Sequence, residues 1–67
     1  MSTLGDEYLK EQARVREVLG YYKEIGPAGM FGAMMIEQTL RKADEAALSG
    51  DIVQMIAAFQ EMKEIKS

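Results

Sequence analysis

Apolar residues fall along the chain in three helical stripes separated by two short breaks. The first stripe is Leu4, Tyr8, Val15, Val18, Leu19, Tyr22 and Ile25, mostly at steps of three and four, with Glu11, Arg14 and Glu17 off it. That period predicts an amphipathic helix over about residues 3–25. Thr3 or Ser2 can cap it, Asp6 and Glu7 suit the positive end of its dipole, and Asp6 and Lys10 are spaced to pair. Gly26-Pro27 ends this segment, because proline biases the residue before it away from helix and fits the first turn of the next one. The second stripe, Ala33, Ile36, Leu40, Ala43 and Ala47, predicts a helix over about residues 28–49, with Glu37 and Arg41 pairing on its wetter face.

Ser49-Gly50-Asp51 is the sharpest punctuation in the chain. Gly50 suits a left-handed helix stop, and Asp51 followed three residues later by Gln54 reads as a capping box. Beyond it Ile52, Met55, Ile56, Phe59, Met62 and Ile65 predict a third helix over about residues 52–66 with one apolar face. No sustained alternation or hairpin dipeptide suggests a strand. The expectation is one all-α domain over residues 1–67, two long helices and one shorter, with tight connections that make sequential helices antiparallel neighbours.

One stretch does not fit a simple amphipathic scheme. Pro27 to Ile36 is ten residues without a charged or polar side chain. Met30, Phe31, Ala33, Met34, Met35 and Ile36 surround the helix axis, and a helix apolar all round is normally buried on every side. Two partner helices cover about two sides. Either the chain wraps this segment and leaves one or two methionines in water, or another molecule covers it.

Length decides between these. A 67-residue chain buries only about 60% of the surface its unfolded form exposes, so small folds usually need a staple. There is no Cys and no His, which removes disulfides and the common metal ligands and leaves oligomerisation. A homodimer is therefore expected. Its interface would use Phe31, Met34, Met35, Ile36 and Leu40, closed by Ile52, Ile56 and Phe59. The two copies of the second helix would cross where Gly29, Gly32 and Ala33 permit close approach. A surface left over for another protein is expected at Tyr21, Tyr22 and Met30, with Arg14 and Lys23 at the rim; exposed tyrosines and methionines are good contact residues.

Charge and chemistry narrow the function. Eight basic and eleven acidic residues give a net charge of −3, which argues against a nucleic-acid binder. The third helix is mixed in sign, unlike a recognition helix for the major groove. The apolar run is shorter than the roughly 20 residues a membrane span needs, and the start lacks the pattern of a signal peptide, so a soluble cytoplasmic protein is expected. Without His or Cys no nucleophile has an obvious activating base. Asp44 and Glu45 are adjacent on a helix and do not face each other. No catalytic residue, metal or cofactor is expected. Gly26, Gly29 and Gly32 could present free N–H groups to an anion, but no phosphate-loop pattern surrounds them, and they read as a turn and close packing.

With GPAGMFGAMMIE followed by SGDIVQMIAAFQEM, the short length and the missing catalytic groups, the chain resembles small helical accessory proteins of temperate bacteriophages, a group that includes anti-activators of bacterial quorum sensing. The resemblance implies a helical dimer that binds and disables or redirects a host protein in the host cytoplasm. It assigns no functional residues. Two other readings remain: a small-ligand (nucleotide) binder with its site at a subunit seam, where Lys23 is the cation near the glycine turn, and a structural assembly protein.

Overall fold

The computed structural model describes residues 3–66 as three α-helices. Helix α1 spans Leu4–Glu24, α2 Met30–Ser49 and α3 Ile52–Glu64, with a 3-10 turn at Pro27–Gly29 leading into α2. Thr3 caps α1, its Oγ1 accepting from the Asp6 N–H at 3.2 Å; Ser2, the other candidate cap, lies outside the described residues. Gly50 ends α2 at φ 71°, where a side chain would be strained. Asp51 caps α3 by accepting from the N–H groups of Val53 and Gln54. The reciprocal half of that cap comes from Ser49, whose hydroxyl accepts the Asp51 N–H, and not from Gln54.

The core is built from Tyr8, Val15 and Val18 of α1, Ile36, Leu40 and Ala43 of α2, and Ala58 and Met62 of α3. Polar contacts set how α1 lies on α2. Tyr8 donates its hydroxyl proton to the Ala43 carbonyl at 2.8 Å. Asp44 accepts from Gln12 at 2.8 Å and from Arg16 at 2.8 and 2.9 Å. Further along, Lys23 meets Glu37 at 3.0 Å. Gln12 is buried, so the weakly apolar middle of α1 still faces the core: its amide is satisfied by Asp44, and burial costs little.

Three details differ from the sequence pattern. In α2 the buried residue of the last turns is Ala46, while Ala47 is exposed. The Glu37–Arg41 pair does not form because Lys23 reaches Glu37 from α1, and Lys10 lies against Glu7 at 3.9 Å and not against Asp6. In α3 the face turned inward is Met55, Ala58, Met62 and Ile65, with Phe59 at its edge stacked on Tyr8, ring centroids 6.3 Å apart. The small Ala58 lets α3 approach, and this rotation leaves Ile52 and Ile56 in water.

Candidate interaction surfaces

The apolar start of α2 is only half used by its own chain. Ala33 and Ile36 are buried, and they carry the segment onto the core. Met30, Phe31, Met34 and Met35 are each at least half exposed, Phe31 at 71%. Met30, Phe31 and Met34 line an open groove of about 340 Å³ whose rim is the Lys23–Glu37 ion pair. Ile25 is also exposed and packs beside Gly29 at the same end of the bundle. Together these side chains present on the order of 500 Å² of open apolar surface, near the upper limit for a monomer that has no partner.

Several residues assigned to an interface by sequence are committed inside the chain. Ile36 and Leu40 are 5% and 6% exposed and belong to the chain's own core. Phe59 is half-buried between Tyr8 and Lys63, whose ammonium lies 5.1 Å above its ring. The glycine stripe is likewise internal. A Cβ on Gly29 would fall 2.2 Å from the Tyr22 carbonyl oxygen, and one on Gly32 2.5 Å from the Tyr22 ring. These glycines let α2 press against α1; with Ala33 buried as well, they offer no site for two copies of α2 to cross.

Ile52 and Ile56 are exposed, but they do not join Phe31 and Met34 in one surface. Met35 and Ile36 lie beside Glu61, Glu64 and Ile65 at the far end of α3. At 1.5 Å per residue, Ile52 is about 20 Å back along that helix. The bundle therefore has an apolar patch at each end.

The residues expected to meet a partner also separate. Tyr21 is exposed, and its hydroxyl donates to Glu17 at 2.8 Å; that bond to a carboxylate holds the phenol's pKa above its usual value. Tyr22 is half-buried against Gly32. Lys23 is engaged with Glu37, and Met30 belongs to the groove. Arg14 has a structural task. It donates two hydrogen bonds to Glu11 and one each to the carbonyls of Met62 and Ile65. Those carbonyls lie at the end of α3, where a guanidinium suits the negative end of the dipole; the Met62 carbonyl also accepts from the Ile65 N–H at 3.1 Å. The same bonds hold the Glu11 carboxyl below its ordinary pKa, and burial opposes the shift without reversing it.

Sequence reasoning missed Leu48 and Val53, 89% and 76% exposed, which flank the α2–α3 turn. A signal was present: Ile52 to Gln60 is a second stretch without charge, and α3 has only one buried face to use it on.

Comparison of the chain with protein-family models, curated proteins and solved structures finds no match. Among the described residues no three carboxylates gather in a way that could hold a metal ion, and no helix is long and apolar enough to cross a membrane.

Proposed function

We propose that this chain is a non-catalytic regulator that works by binding another protein, and that it does so as a homodimer of three-helix subunits with antiparallel neighbours. The observation that carries the reading is the uncovered start of α2, where Met30, Phe31, Met34 and Met35 stand in water beside the buried Ala33 and Ile36. A standard interface takes about 800 Å² from each partner, and this patch with its polar rim is of the right order. Its rim carries one lysine and one glutamate already in contact, so the surface is near neutral. A two-fold contact sets identical surfaces together, and a neutral apolar one meets its own image without like-charge repulsion. Dimerisation through this end leaves the rest of the bundle free for a target. The resemblance to phage accessory proteins that disable or redirect host proteins points the same way.

The test is affinity purification of the tagged chain from the cell that produces it, in parallel with Phe31→Glu. The reading predicts a stoichiometric protein partner, carried by a two-chain species of the wild type and by a one-chain species of the variant. A particle of many copies without a foreign partner contradicts it in favour of an assembly role. A saturable thermal shift with a nucleotide, and no protein partner, contradicts it in favour of ligand sequestration.

A further inference from the structure

The net charge of the molecule sits at one end. The start of α1, the end of α2 and the start of α3 meet there, joined by the Tyr8–Ala43 hydrogen bond and the Tyr8–Phe59 stack. Residues 3–10 and 45–56 carry four acids, Asp6, Glu7, Glu45 and Asp51, against one base, Lys10. The other seven acids and seven bases cancel over the rest of the chain, and the nearest of these bases, Lys42, lines the same hollow as Glu45 and Asp51 while its ammonium lies 3.6 Å from Glu61, so this end stays acidic on balance. Two helix N-termini and one C-terminus add about half a positive charge there, which leaves the sign unchanged. The Glu7–Lys10 pair is long and exposed and neutralises little.

The same end holds the second apolar patch. Ile52 and Ile56 are one turn apart on α3 with Val53 beside them, and Leu48 stands across the turn; all four are exposed. A second copy is a poor occupant, because a two-fold contact here would set one acidic cluster against another. Nucleic acid and anionic membrane carry that sign too. The chemistry that fits is a protein segment with apolar anchors at helical spacing and Lys or Arg on its flanks.

We propose that the end of the bundle formed by Leu48, Ile52, Val53 and Ile56 with Glu45 and Asp51 is the target-binding surface, and that its occupant is a basic amphipathic helix. The inference rests on the protein-binding reading above and names the partner's chemistry. It places the target at the end of the molecule opposite the self-association patch, so one chain can hold both at once.

The test uses the full chain and labelled synthetic peptides read by fluorescence anisotropy. The probes are an amphipathic Leu–Lys helix, its Leu–Glu counterpart, and a Lys–Ser peptide without anchors. Saturable binding of one Leu–Lys peptide per chain is expected, weakened at least about tenfold by Leu48→Ser with Val53→Ser. Glu45→Gln should weaken it too and reduce its sensitivity to salt. Phe31→Glu should leave it unchanged, which separates this surface from the dimer contact. Equal binding of the Leu–Glu or the Lys–Ser peptide overturns the proposal. So does binding that ignores both the serine and the glutamine substitutions. A fall in solution mass with Leu48→Ser and Val53→Ser also overturns it, since that would mean a second copy covers this end.

Discussion

Tyr22 explains why glycine stands at both positions 29 and 32. Its carbonyl oxygen and its ring occupy the space that a side chain at either position would need. Gly29→Ala is expected to cost about 1–3 kcal/mol, the usual range for overpacking, and more than Gly32→Ala. The obstacle at position 29 is fixed backbone, while a ring at position 32 can swing aside. Chemical denaturation of the two variants checks the order. Tyr8 is a second sensitive point: Tyr8→Phe keeps the ring stack and removes the hydroxyl's hydrogen bond to the Ala43 carbonyl, a loss of about 1 kcal/mol. Glu11 gives a pH dependence. Its carboxyl is lowered from the ordinary 4.5, chiefly by the hydrogen bonds from Arg14, so the folded state favours the ionised form. That stability is present above pH 4.5 and is lost as pH falls through the lower folded value. The wild-type advantage over Glu11→Gln in thermal unfolding should therefore be full near neutrality and vanish in acid.

Helix existence was legible in the sequence because the punctuation is chemically strong. Gly50 and Asp51 mark the α2–α3 break with a left-handed stop and a side-chain cap, and Pro27 marks the other. Asp51→Ala, which frees two N–H groups at once, should lower the melting temperature by the equivalent of about 1 kcal/mol, with α3 the first element to lose hydrogen-exchange protection. Facing was less legible. In α3 the run IVQMIAAF offers apolar residues on every side, so periodicity cannot say which turn inward; the Tyr8–Phe59 stack and the small Ala58 decide it. The choice of Ala46 over Ala47 belongs to the same class, since two alanines differ only in what lies opposite them. Arg14 and Gln12 were unreadable for another reason. Both look like surface residues until α3 supplies two carbonyls to one and α2 supplies a carboxylate to the other.

At the scale of the whole molecule, the bundle is slender. Its radius of gyration is 12.2 Å, against about 11 Å for a compact chain of this length, and it extends 37 Å along its longest axis. A slender bundle closes its middle and leaves its ends open, which is where the apolar side chains outside the core collect. The sequence signalled the first of these ends through ten residues without a polar group. It could not show that Ile36 and Leu40 would be taken by the chain itself, or that Ile52 lies about 20 Å along α3 from Ile65, the residue beside Met35 and Ile36. The distinction matters for experiment. Ile36→Glu buries an unpaired charge in the subunit core and should unfold the protein whatever its oligomeric state. Met34 is half exposed, so Met34→Glu should spare the fold of the chain while placing a charge in the proposed dimer contact. The most direct measurement is the solution mass of the wild type and Met34→Glu by light scattering, with helicity followed alongside. The account predicts twice the 7.5 kDa of one chain for the wild type and a helical species of one chain mass for the variant. A wild type that stays at one chain mass as its concentration is raised would contradict it, as would a variant whose mass does not change.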